Sequence, residues 1–167
     1  KKALIRSVIK KHASKNKTVI DIGCAIGKWI PVLSPSFKKV FAVDISAKNL
    51  EIARELYPQY RNVEYIRVDM SGKKTKVPKC DFGICINAIL TPSQKDRDIF
   101  FRSLNACIKK GGRIVITIPS LESHLLTSII QQQYKIDKAI FPAVKNGKEA
   151  IRKWNNIRQG NADIDEV

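Results

Sequence analysis

The sequence predicts an α/β protein built on a doubly wound, mostly parallel sheet, and three observations carry that prediction. Short β-branched runs recur along the chain, and amphipathic stretches of helical spacing separate them at intervals of 20 to 30 residues. The first run passes without a spacer into a glycine turn. Parallel strands joined by right-handed crossovers satisfy this pattern, and ligands then sit outside the carboxyl ends of the strands, where the strand order reverses.

The first strand is Thr18-Val-Ile-Asp-Ile22, in which Val19, Ile20 and Ile22 read as buried on both faces. Gly23 and Gly27 punctuate the turn that follows, and Lys28-Trp-Ile opens a helix in which Trp29 packs on the sheet. A dinucleotide fingerprint would need glycines at Gly23, Ala25 and Lys28, and two of the three fail. An acidic-x-Gly-x-Gly-x-Gly pattern fits Asp21, Gly23 and Gly27, with Ala25 departing by one methyl group. That methyl is tolerated without strain if φ at Ala25 is negative. Cys24, inside the turn, reads as a small space-filling residue.

The second strand, Lys39-Val-Phe-Ala-Val-Asp44, ends in a carboxylate placed beside the glycine turn, and the helix after it begins near Ser46, a competing N-cap. An acid at that tip matches a vicinal diol, because its two oxygens accept from both hydroxyls. The third strand, Val63-Glu-Tyr-Ile-Arg-Val-Asp-Met70, closes on Asp69, a residue equally common in plain turns. Cys80-Asp-Phe-Gly-Ile-Cys-Ile is the fourth strand, with Asn87 in its exit loop and Asp81 at its entrance as a cap. Gln94 to Lys110 reads as a helix with Ile99, Phe100, Leu104 and Ile108 inward, ended by Lys109-Lys-Gly-Gly112. Arg113-Ile-Val-Ile-Thr-Ile-Pro119 is the fifth strand.

In order from Val19 to Pro119, these motifs resemble those of class I S-adenosylmethionine-dependent methyltransferases, whose Rossmann-like sheet runs the glycine turn under the methionine and ribose of the cofactor. The resemblance implies S-adenosylmethionine as cofactor, with Asp21, Gly23, Cys24, Ala25 and Gly27 at the turn. It further implies Asp44 on the ribose hydroxyls with Ile45 beside it, Asp69 on the adenine amine, Met70 on the ring, and Asn87 where the reactive methyl faces the acceptor. Enzymes that methylate amines of DNA, glutamine or adenine carry Asn/Asp-Pro-Pro-Tyr/Phe there; this chain has Asn-Ala-Ile-Leu, which argues against that subclass. Methyl transfer is an in-line displacement needing alignment more than side-chain chemistry. Where a base is needed, His124, just after the fifth strand, is the catalytic candidate; the competing reading is a surface histidine of a helix over residues 121–134. His12 is assigned no role, and no metal site is expected.

The chain reads as one domain over residues 1–167: a leading helix within 1–17, the cofactor-binding core over 18–119, and substrate-side or edge elements over 120–167. The last stretch lacks the two edge strands such a sheet usually adds, so the chain is expected to be a fragment or to have an atypical C-terminal edge. Four cysteines without a Cys-x-x-Cys pair fit reduced thiols in a cytoplasmic protein, and no signal peptide or membrane span is read.

The net charge is +16, from 31 basic and 15 acidic residues. Such a surface attracts polyanions, nucleic acid first. Yet lysines outnumber arginines by 22 to 9, and clusters such as Lys10-Lys11, Lys38-Lys39 and Lys73-Lys74-Thr-Lys76 are scattered along the sequence. A small-molecule acceptor is therefore the first expectation. An RNA acceptor held by the basic surface and a non-catalytic binding module are the alternatives; oligomeric state is not legible.

Overall fold

The computed structural model describes residues 2–72, 75–89, 91 and 93–120. The chain divides into two compact units, Lys1–Ile118 and Pro119–Val167, where the sequence reads as one domain. His124 and the expected helices beyond residue 120 lie outside the described residues.

The element order is α1 (Lys2–His12), β1 (Ser14–Ile22), α2 (Ile30–Leu33), β2 (Phe37–Asp44), α3 (Ala47–Leu56), β3 (Val63–Arg67), β4 (Cys80–Ile86), α4 (Gln94–Ala106) and β5 (Ile108–Thr117). Among the described residues five strands form one sheet in the order β3-β2-β1-β4-β5, and each of these pairings is parallel. The chain winds outward from β1 to β3, returns to place β4 on the other side of β1, and goes on to β5. The order therefore reverses between β1 and β4, which is where a ligand crevice opens in such sheets.

Alternation along β1 explains both faces of the core. Ile20 and Ile22 point into a cluster with Phe41, Val43 and Cys85 that takes Phe100 and Leu104 from α4. Val19 points the other way, into a cluster with Val40, Phe82 and Ile84 that takes Ile5 and Ile9 from α1 and Leu33 from α2. Trp29 is buried in that second cluster, as expected. A third cluster joins Ile30 and Ala42 to Leu50 and Ala53 of α3.

Several boundaries differ from the sequence reading. Residues 14–17, assigned to the leading helix, extend β1 instead. The helix expected at Lys28 is a run of turns followed by one helical turn, because Pro31 is tolerated only at its start and Pro35 cannot continue it. β3 stops at Arg67, leaving Asp69 and Met70 in the connection. α4 ends at Ala106, and Ile108, read as its last inward residue, already begins β5.

Both long strands bulge at their amino ends. On β1, Ser14 pairs with Phe37 but Thr18 pairs with Lys39, so residues 15–17 face Lys38 alone. On β5, Ile108 pairs with Cys80 but Arg113 pairs with Phe82, so residues 109–112 face Asp81 alone. Bulges redirect the side chains they carry. Asp81 ties the two together: its Oδ2 accepts from the Thr18 amide at 2.8 Å and the Thr18 hydroxyl at 2.9 Å, and Lys109 Nζ donates to it from 3.0 Å. Burial pushes the Asp81 carboxyl upward, but the Thr18 amide and Lys109 outweigh it and hold the group below its ordinary range. The capping role read for Asp81 is the one it performs.

Candidate functional site

The carboxyl ends of β1, β2 and β4 meet around the turn at residues 23–27. Gly23 and Cys24 both donate to the Val43 carbonyl, at 2.8 and 3.0 Å, which pins the start of the turn to β2. Gly23 has φ +71°, and a Cβ there would overlap the Cβ of Ala88 in the β4 exit loop, so glycine is required twice over. Gly27 has φ +86°, and a Cβ there would press on Ile30 and the Tyr57 ring. Ala25, between them, has φ +46°. This corrects the expectation of a negative φ: the backbone keeps the glycine conformation, and the alanine bears the strain of the left-handed region.

Asp44 holds that strained loop. Its Oδ2 accepts from the Ala25 amide at 2.9 Å and its Oδ1 from the Ser46 amide at 2.8 Å. Ser46, not Asp44, is the N-cap of α3, its hydroxyl accepting from the Asn49 amide at 3.2 Å. Asp44 Oδ1 also accepts from the Asn49 side-chain amide at 3.5 Å, so the carboxylate is fixed in orientation and keeps one lone pair, on Oδ2, unspent.

Asp21, the acid of the glycine pattern, is 1% exposed, and its Oδ2 has no hydrogen-bond partner. Burial, reinforced by the Asp44 charge, pushes its pKa up to about 7. Two further buried oxygens lack partners: Asn87 Oδ1 after β4 and Thr117 Oγ1 at the end of β5. The Asn87 amide donates to the Thr117 carbonyl at 2.8 Å, and Asn87 has φ +55°. Among the described residues these three are the buried side-chain polar atoms without partners, and all three come from the carboxyl ends of neighbouring strands. An orphaned polar atom in a protein interior costs about 1–3 kcal/mol, so three at the ends of neighbouring strands call for an explanation.

The remaining positions divide. Ile45 is 60% exposed and Ile26 is 42% exposed, so two apolar side chains flank the Asp44–Ala25 contact. Cys24 is buried, and burial together with the Asp21 and Asp44 charges drives its thiol far above the usual range, which removes it as a nucleophile. Asp69 is exposed and accepts from the Ser71 amide at 2.8 Å, a turn contact. Met70 is buried in the cluster under the strand ends. Sequence reasoning missed Ile26, Ala88 and Thr117. Thr117 had a signal, being the last polar residue of the fifth strand on the edge where ligands sit.

The family model described as a methyltransferase domain matches residues 19–112, more than half of the chain. The chain belongs to that family. It is a class I S-adenosylmethionine-dependent methyltransferase domain, and its described residues form the five parallel strands read from the sequence. It is 26% identical over 118 residues to the putative methyltransferase 235L of Invertebrate iridescent virus 6, covering 70% of this chain and 42% of that protein. It is 38% identical over 53 residues to the probable S-adenosylmethionine-dependent methyltransferase CRG1 of Saccharomyces cerevisiae, covering 32% of this chain and 18% of that protein. The crystal structure of the PH0226 protein from Pyrococcus horikoshii shares the fold at TM-score 0.63 and 23% identity, covering 76% of this chain and 60% of that one. The methyltransferase domain thus spans less than half the length of the curated relatives it matches.

Proposed function

We propose that this domain transfers a methyl group from S-adenosylmethionine to a small-molecule acceptor. The observation that carries the reading is the set of orphaned acceptors at the strand ends. Asp21 Oδ2 and Asn87 Oδ1 are buried, unpaired and electron-rich, which suits a cationic, donor-bearing ligand such as one with an α-ammonium and a sulfonium. Asp44 Oδ2 has a lone pair left for a ribose hydroxyl, and exposed Ile26 and Ile45 offer apolar surface for a base. Bound there, the cofactor supplies a methyl group already made electrophilic by its sulfonium. The protein's part is then alignment and exclusion of water. Gly23 packs against Ala88 and leaves no room for solvent between β1 and β4 at that point. Asn87 is held by the Thr117 carbonyl, and Thr117 Oγ1 remains for the acceptor.

A small acceptor is favoured over RNA because exposed Ile26 and Ile45 flank the Asp44–Ala25 contact, with Arg67 donating to the Ile45 carbonyl from 3.2 Å, whereas the lysine-bearing bulges lie at the opposite ends of β1 and β5. The four cysteines are free, and burial raises each of their pKa values, which suits a reducing compartment; we place the protein in the cytoplasm. Among the described residues no helix is long and apolar enough to cross a membrane.

Titration calorimetry with S-adenosylhomocysteine tests the cofactor, with binding expected in the micromolar range, about −8 kcal/mol. No heat at millimolar ligand overturns the reading. Transfer of labelled methyl groups to a panel of small metabolites and, separately, to total RNA tests the acceptor. Label in RNA alone would make RNA the substrate.

A further inference from the structure

We infer that the amino-end edge of the sheet, remote from the cofactor crevice, is a docking surface for the phosphodiester backbone of a nucleic acid. Several basic residues that look scattered in sequence converge there. α1 ends on Lys10-Lys11-His12, β1 opens on the bulge carrying Lys15 and Lys17, and β5 opens on the bulge carrying Lys109 and Lys110. Between the bulges lies a cavity of about 310 Å³ lined by His12, Lys17, Asp81, Lys109, Lys110 and Arg113 among others. That volume admits a nucleotide-sized group.

The charges are unbalanced. Asp81 is the one carboxylate in the lining, and it is already engaged by Thr18 and Lys109. Among the described residues Lys17, Lys110 and Arg113 have no ion pair. Holding several like charges around one cavity costs free energy unless a polyanion neutralises them. The cavity spans β1, β4 and β5, about 10 Å at ordinary strand spacing, so its cations reach more than one phosphate of a chain. A flat lipid surface would leave the concavity unfilled, and lysine-rich point charges suit backbone contact without base readout. β4 is seven residues long, so this edge lies roughly 20 Å from the crevice, and a nucleic acid docked here leaves the acceptor site open. The inference therefore holds whichever acceptor the crevice takes.

Fluorescence anisotropy with a labelled single-stranded RNA 20-mer and its DNA counterpart, across a salt series, tests it. Removing three charges with Lys17→Gln, Lys110→Gln and Arg113→Gln should weaken binding at least about tenfold at physiological salt. The slope of log affinity against log salt should become shallower by about 2, since each single-strand phosphate contact contributes about 0.7. The control, Lys48→Gln with Lys95→Gln and Arg102→Gln, removes three exposed charges elsewhere and should cost less than about threefold. Equal RNA and DNA affinity indicates backbone contact alone, and an RNA preference adds the 2′-hydroxyl; both support docking. Equal losses in the two triple variants, no loss in the first, or a variant-sensitive affinity found only for polyglutamate or phosphatidylserine vesicles overturns the proposal. Binding of S-adenosylhomocysteine by each variant reports that the fold is intact. Should the triple variant not fold, Lys110→Gln alone, on an exposed bulge, must still weaken binding about threefold.

Discussion

Replacing Asp21 by asparagine separates the energetic cost of the site from its use. Asp21 is fully buried, and burial with the Asp44 charge raises its pKa from 3.8 to about 7. A raised carboxyl pKa means that the folded protein binds the proton more tightly than the unfolded chain does. Its contribution is therefore fully present below pH 3.8, declines as pH rises, and is exhausted above about pH 7. Between pH 5 and pH 7 the unfolded group is ionised while the folded one is not, so stability falls by about 1.4 kcal/mol for each pH unit, or about 3 kcal/mol over the interval.

Asparagine keeps the shape and carries no charge at any of these pH values. Urea denaturation of wild type and Asp21→Asn at pH 5 and pH 8 gives four unfolding free energies. The wild-type drop should exceed that of the variant by about 3 kcal/mol, with the variant the more stable protein at pH 8. Every other titrating group is common to both proteins, so the difference isolates Asp21. Asp81 does not mimic it, since its lowered pKa gives stability that is lost only as pH falls below the ordinary carboxylate range. Parallel pH profiles for the two proteins would refute the claim that Asp21 is an uncompensated buried acid. The variant should also bind S-adenosylhomocysteine more weakly, because a stabilised pocket that no longer attracts a cation is the signature of a site built against its own stability.

The remaining predictions concern the turn and the bulges. Asp44→Ala should weaken S-adenosylhomocysteine binding by roughly 1–3 kcal/mol in calorimetry, since the ribose hydroxyls and the Ala25 amide lose one acceptor together; unchanged affinity would exclude Asp44 from the site. Ala25→Gly should raise the urea midpoint: relief of roughly 1–2 kcal/mol of left-handed strain exceeds the roughly 0.5–1 kcal/mol of added chain entropy, and a lower midpoint would contradict the positive φ. Gly23→Ala should destabilise the fold by about 2 kcal/mol or more, through both its φ and its collision with Ala88, and a neutral thermal melt would refute the close approach. Asp81→Ala should cost about 1–3 kcal/mol at pH 7, and amide hydrogen exchange should quicken in both bulges at once; quickening in one alone would mean that Asp81 does not couple them.

What the sequence disclosed and what it hid follow from the range of the forces involved. The doubly wound parallel sheet and the placement of Gly23, Gly27 and Asp44 at strand ends were legible because each follows from local pattern. β-branched runs make strands, a glycine can turn where other residues cannot, and a terminal acid lands where its strand ends. Local patterns failed where a tertiary contact or an adjacent proline overrode them. Pro31 and Pro35 cut the helix after the glycine turn to a single turn, and pairing with β2 and β4 recruited residues 14–17 and 108–112 into strands although their composition reads as helix end or loop. Ala25 shows the limit of a pattern read as chemistry. Its methyl group suggested an ordinary backbone, whereas the Val43 carbonyl on one side and Asp44 on the other hold the turn in the conformation glycine would choose. The lysines show the converse. Lys110 is far in sequence from Lys10 and Lys17, so no window of residues joins it to them, yet in a parallel sheet every strand starts at the same edge. A lysine at each strand entrance is therefore a patch by topology alone, and the same rule that gathers Gly23, Asp44, Asn87 and Thr117 at one end gathers the charge at the other.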